Sequence, residues 1–110
     1  MTKYVKVKFP NGDEFKIPAN VIAESRATYY ANHDAGSQDS YPAEWDKVYN
    51  DEITIAMEDD YELTDWLWNN MDWEDIEKYA IPMGKKEKYN YKKHWMEITK
   101  DEDNYEVIAG

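Results

Sequence analysis

Lys3-Tyr4-Val5-Lys6-Val7-Lys8-Phe9-Pro10-Asn11-Gly12-Asp13-Glu14-Phe15-Lys16-Ile17 is the stretch that decides the fold. Val5, Val7 and Phe9 alternate with Lys6 and Lys8, so a period of two puts the apolar residues on one face and the lysines on the other. Asn11 and Gly12 both tolerate positive φ, and Asn-Gly between alternating runs is the strongest short-range hairpin signal. Phe15 and Ile17 resume the alternation beyond the turn. The stretch reads as a β-hairpin with an apolar face and a solvated lysine face.

Outward from the hairpin the period changes. Pro18 suits a first helical turn, where its missing N–H costs nothing, and a helix is expected to about Asn32. Ala19, Ala23, Ala27 and Ala31 form an i, i+4 stripe that allows close approach to the sheet, with Ile22, Arg26, Tyr29, Tyr30 and His33 on neighbouring faces. Residues 34–40 have loop composition. Ser40 or Asp39 caps a second helix, about 41 to 57, with Pro42 in its first turn. Trp45, Val48, Tyr49, Glu52, Ile53, Ala56 and Met57 carry its spacing. A short strand over Ile53–Met57 is the competing reading, because Ile-Thr-Ile is β-prone. Asp59 with Glu62 resembles a capping box for a third helix whose buried side is Leu63, Trp66, Leu67, Asn70 and Met71. Asp72 restarts a single turn from Trp73 to Ile76.

The helical signals then fade. Tyr79–Met83 reads as a strand ending at Pro82-Met83-Gly84, and Lys85, Lys86 and Lys88 as an exposed turn. Tyr91–Thr99 and Asn104–Ile108 read as a second hairpin around Lys100-Asp101-Glu102-Asp103. With 110 residues the chain is one domain, 1–110. The expected class is α+β: a small antiparallel sheet of the N-terminal hairpin and C-terminal strands, with about three helices packed on one face.

Charge is distributed unevenly along this order. The net charge is −11, yet residues 34–77 hold 15 acids against the single Lys47. That segment alone carries −14, while residues 1–33 carry +2 and residues 78–100 carry +5. An acidic middle repels nucleic acid and anionic membrane and attracts basic protein surfaces. Aromatics make up 15% of the chain, which argues for a folded core over disorder. There is no cysteine, so disulfides, thiolate metal sites and cysteine catalysis are excluded and a reducing compartment is compatible. Neither a signal peptide nor a transmembrane run is read, and a soluble cytoplasmic protein is the expectation.

Candidate chemistry is thin. His33 and His94 fall on different expected elements, and their simpler readings are a helix-end histidine near its favourable dipole terminus and a sheet-face histidine. Asp101-Glu102-Asp103-Asn104-Tyr105-Glu106 fails as a calcium loop, with Tyr105 fifth and Glu106 where glycine is required sixth. Glu58-Asp59-Asp60 is more simply a helix cap than a magnesium site. The glycines stand isolated, without a phosphate loop, and Ser25, Ser37 and Ser40 lack an elbow or triad signature. No enzyme activity, metal or cofactor is expected.

The acids suggest recognition. On an unbroken second helix Glu44, Asp51 and Glu58 fall seven residues apart on one stripe, about 10 Å between neighbours. Glu62 and Asp65 extend the acidic region, facing a basic groove on a partner protein. Ordinary solvation of helices is the competing reading. Trp66 and Trp68 lie about 200° apart on a helix, so one is expected near the surface unless two sides are buried. Trp68 and Trp73 are accordingly candidate partner anchors, since tryptophan is enriched in hot spots. Packing beneath the 34–41 loop or the C-terminal hairpin is the alternative.

Two blocks carry a resemblance. Ile17-Pro18-Ala19-Asn20-Val21-Ile22-Ala23-Glu24-Ser25-Arg26-Ala27-Thr28-Tyr29-Tyr30-Ala31 resembles a pattern in small acidic proteins of bacterial phage and mobile elements. Asp65-Trp66 through Asn69-Asn70-Met71-Asp72-Trp73-Glu74-Asp75 resembles the second block of that group. The group has no settled activity, so the resemblance implies a phage or prophage origin. By analogy of class, small acidic phage proteins without catalytic motifs inhibit host defence, as anti-CRISPR proteins do in occluding a basic nucleic-acid channel. The alternative is an accessory or self-associating phage protein, a homodimer in the latter case, that binds a protein partner through its aromatic surface without nucleic-acid mimicry.

Overall fold

The computed structural model describes residues 2–84, 88–98 and 101–110. The hairpin is β1 (Lys3–Lys8) and β2 (Glu14–Pro18), followed by α1 (Ala19–Ala35), α2 (Pro42–Glu58), α3 (Asp60–Asn70) and the single turn α4 (Trp73–Ile76). Two-residue β3 (Ile81–Pro82), α5 (Tyr91–Ile98), a 3-10 turn (Glu102–Asn104) and β4 (Tyr105–Ala109) complete the chain. Among the described residues the fold is α+β: a four-stranded antiparallel sheet of order β3-β2-β1-β4 and five helices.

The hairpin follows from its alternation. Val5 pairs with Ile17 and Val7 with Phe15, and all four side chains are buried. Gly12 takes φ 93°, and Asn11 secures the turn by accepting the Asp13 N–H at 3.0 Å. On the opposite face Lys6 lies between Glu14 and Glu106, at 3.4 and 3.5 Å, and Lys16 covers the Tyr4 ring.

Pro18 closes β2 and stands just before α1 as its N-cap residue. The alanine stripe is fully buried, but its close approach is principally to α2, not to the sheet. Trp45 Nε1 donates to Asn32 Oδ1 at 2.8 Å, and Arg26 holds Glu52. Those two pairings set α1 and α2 antiparallel, with small side chains between them.

α2 is helical throughout, which removes the strand alternative at Ile53–Met57. Thr54 Oγ1 donates to the Asn50 carbonyl at 3.1 Å, satisfying the β-prone residue inside the helix. Asp59 caps α3, accepting the N–H of Tyr61 and of Glu62 at 3.0 and 3.3 Å. The box does not close, because Asp59's own N–H bonds the Ile55 carbonyl and Glu62 turns to Arg26. A return bond of this kind does form one helix later, where Asp75 accepts the Asp72 N–H at 2.9 Å. Leu63, Trp66, Leu67 and Met71 are buried as expected, and Asn70 is exposed.

The expected second hairpin is corrected. Residues 91–98 form helix α5, and β4 pairs with β1 instead, Val5 opposite Val107. As a strand, residues 91–97 would place Lys93 and Glu97 on the same face as Tyr91 and Trp95. As a helix only Tyr91, Trp95 and Ile98 turn inward. Asn90 Oδ1 accepts the Lys93 N–H at 3.1 Å and fixes the first turn. Thr99 and Lys100, and Lys85 and Lys86 of the expected basic turn, lie outside the described residues; Lys88 is exposed.

The core centres on Phe9. Its ring meets Phe15, Trp73 and Tyr91 edge-on at 5.8, 5.3 and 4.8 Å, the geometry aromatic quadrupoles favour. Tyr91 Oη donates to Asp13 at 2.5 Å and Trp95 Nε1 to the Met71 carbonyl at 3.0 Å. This joins α5 to the hairpin and to the end of α3.

Candidate partner-binding surface

An unbroken α2 defines the surface. Trp45 and Ala56 mark its buried side, with Glu52 turned the same way onto Arg26. Glu44, Asp51 and Glu58 lie on one flank, about 100–140° around the helix from Trp45, each exposed. Seven residues amount to two turns less about 20°, so the three carboxylates form one nearly straight line. Lys47 joins this line and approaches Asp51 at 3.5 Å, both well exposed. Among the described residues Glu44, Asp46 and Glu58 have no cation within ion-pair distance. A row of exposed, incompletely neutralised carboxylates projects a field that raises the local concentration of cationic groups.

The other expected residues separate. Glu62 leans toward α1 and shares Arg26 with Glu52, at 3.4 Å from its guanidinium, while staying partly exposed. Asp65 is half-buried and accepts from Asn69 Nδ2 at 2.9 Å. Trp68 is half-buried too, its ring 5.0 Å from Trp95 and 4.7 Å from Tyr105. Trp73 is 3% exposed and belongs to the Phe9 core. It is not a surface anchor: capping by Asp72 turns the short α4 so that Trp73 and Ile76 point into the sheet. Of seven candidates, three thus form a common outward line.

Three features were not expected from the sequence. Arg26, 7% exposed, bridges α2 and α3 and lies over the Tyr30 ring at 4.9 Å. Its place beside the alanine stripe is the signal that an arginine there must enter the helix interface. Tyr29, Tyr30 and Trp66 cluster within 6 Å, and Trp66 Nε1 donates to Ser25 Oγ at 3.1 Å. His94 sits on α5, not on the sheet, bonding Glu97 at 2.9 Å and stacking on Tyr89. His33 is at the end of α1 as expected, and bonds Asp34 at 2.9 Å.

Local electrostatics follow these placements. Desolvation raises the Tyr49 phenol above its ordinary pKa, with the Glu24 charge adding to it. Its ring stacks on Trp45 at 5.0 Å. The hydrogen bond and charge of Glu74 raise Lys92, and those of Glu14, then Glu106, raise Lys6. No cluster of three or more potential ligands is arranged to hold a metal ion among the described residues. No described helix is long and apolar enough to cross a membrane. Comparison with family models, curated proteins and solved structures returns no match to this chain.

Proposed function

We propose that this chain is a non-enzymatic binding protein that lays the Glu44–Asp51–Glu58 line of α2 against a basic groove of a partner protein. We further propose that the partner is a nucleic-acid-binding nuclease of bacterial defence, blocked in the manner of an anti-CRISPR protein encoded by a phage. The observation that carries the reading is the line itself: three exposed carboxylates on one flank of α2, with Lys47 the lone cation on their segment. Charge spacing limits the form of the interaction. Duplex DNA carries about one charge per 1.7 Å, so the roughly 21 Å from Glu44 to Glu58 faces about twelve phosphates in a duplex. The helix is therefore too sparse to copy phosphates one for one, and it acts by occlusion and electrostatic steering. The alternative, association through Trp68 and Trp73, is weakened because Trp73 lies in the core.

The test is competition with DNA for a panel of purified CRISPR nucleases, using the parent and the Asp51→Lys/Glu58→Lys double variant over a range of salt. The parent should displace DNA with an affinity that falls as salt rises, and the variant should bind about tenfold more weakly with a flatter dependence. Equal binding by both proteins at every salt concentration sinks the α2 reading. A parent that displaces DNA from none of the nucleases sinks the assignment of partner.

A further inference from the structure

β4 forms one edge of the sheet. Its register sets Lys3 opposite Ala109, Val5 opposite Val107 and Val7 opposite Tyr105, and the Gly110 N–H donates to the Thr2 carbonyl at 2.7 Å. Hydrogen-bonded pairs alternate along an antiparallel ladder. The bonded pairs are therefore Tyr4–Ile108 and Lys6–Glu106. The other side of β1 agrees, since the Phe9 N–H donates to the Asp13 carbonyl at 2.9 Å and assigns the odd residues of β1 to β2. The N–H and C=O groups of Tyr105, Val107 and Ala109 thus point away from β1, where no described strand lies. Edges are commonly protected by lysine or proline, and Tyr105-Glu106-Val107-Ile108-Ala109 has neither.

Beside this edge runs a groove of about 290 Å³ lined by Asp60, Tyr61 and Thr64 of α3 and by Tyr105, Glu106 and Val107. Tyr61 is 71% exposed. The Thr64 hydroxyl is occupied by the Asp60 and Tyr61 carbonyls, at 2.9 and 3.3 Å. One turn further, Trp68 packs on Tyr105 with its Nε1 buried and without a partner among the described residues. The rim is negative: Asp60 meets Lys3 at 2.5 Å, and Glu106 must share Lys6 with Glu14.

We propose that this edge accepts an extended basic segment of a partner protein, which adds as a fifth strand antiparallel to β4. The acids of the rim select the occupant. A second copy would bring Asp60 and Glu106 and a net charge of −11 against the same acids, whereas lysines or arginines at alternate positions would face Glu106 on the solvent side. The intervening apolar residues would lie over Tyr61, Thr64 and Val107, as strand addition combines main-chain bonds with pockets for alternate side chains. The proposal uses other residues than the α2 line and does not rest on it.

The probe is an end-blocked Lys-Val-Lys-Val-Lys-Val-Lys peptide titrated into the full chain, read by tryptophan fluorescence and by amide exchange of Val107 and Ala109. In antiparallel addition the valine N–H groups face β4 and the lysine N–H groups face away. N-methylation of the valines should weaken binding at least about tenfold, N-methylation of the lysines by less than about threefold, and glutamate in place of lysine at least about tenfold. Val107→Pro removes an N–H that β1 does not use and should weaken binding similarly. Because the methylated peptides need no variant, the proposal stays testable if that substitution unfolds the chain. Absence of binding, equal tolerance of both methylations, or loss on lysine methylation alone overturns the proposal. So does a dimer in light scattering that Val107→Pro dissociates, since a second copy would then occupy the edge.

Discussion

The Arg26 guanidinium on α1 reaches the Glu62 carboxylate on α3 at 3.4 Å while also holding Glu52 on α2, so one buried cation ties three helices together. Arg26→Ala leaves Glu52, largely buried, without its countercharge. The expected loss is about 3–5 kcal/mol, the usual cost of removing one partner from a buried pair, read as a lower urea midpoint. Arg26→Met with Glu52→Gln and Glu62→Gln should regain most of it. A loss below about 1 kcal/mol for Arg26→Ala would show that the tie contributes little.

Two neighbouring tryptophans make a controlled comparison. Trp95 Nε1 has the Met71 carbonyl at 3.0 Å, whereas Trp68 Nε1 is buried and has no partner among the described residues. Replacing Trp68 by Phe removes a stranded donor, and replacing Trp95 by Phe strands a carbonyl. Thermal unfolding should show Trp95→Phe less stable than Trp68→Phe by at least about 1 kcal/mol. The reverse order would mean that Trp68 has a partner in solution.

Asp59 and Glu62 separate capping from tertiary pairing. Asp59→Ala should cost about 1 kcal/mol through loss of the α3 cap. Glu62→Gln should leave the cap intact, because its carboxylate serves Arg26 and does not return to the Asp59 N–H. Amide exchange at Tyr61 and Glu62 reads the distinction: faster in the first variant and unchanged in the second. Equal acceleration in both would indicate a closed box.

Tyr49 gives a pH dependence with a definite sign. Burial, with Glu24 second, raises its pKa above the ordinary 10.0, so the folded chain holds the phenolic proton more tightly than the unfolded chain. Its contribution to stability is complete below about pH 10 and is lost as pH rises through the higher folded value. Between about pH 9 and pH 11 the melting temperature of the parent should fall more steeply than that of Tyr49→Phe. Parallel curves would assign the alkaline loss to other groups, Lys6 and Lys92 among them.

Local chemistry settled the parts of this protein that a short window can contain. The Asn11-Gly12 turn sets the register of Val5 against Ile17, because turn geometry and a period of two leave no other pairing that buries both strands' apolar residues on one face. The Asp59 cap and the Glu44–Asp51–Glu58 line are equally local, the latter following from helical rise alone once α2 is continuous. Tertiary structure decided the rest. Tyr91–Ile98 has aromatics at spacings that fit a strand in part, and it becomes a helix because the Phe9–Trp73 cluster and the Met71 carbonyl receive Tyr91, Trp95 and Ile98 together. Glu62 and Trp73 carry no mark in their own segments that separates them from Glu58 and Trp68. One is engaged by a buried guanidinium 36 residues away that needs countercharge, the other is buried by aromatic packing onto the hairpin. Desolvation and close packing act between residues distant in the chain, so which acids and tryptophans reach solvent was settled only when the helices met.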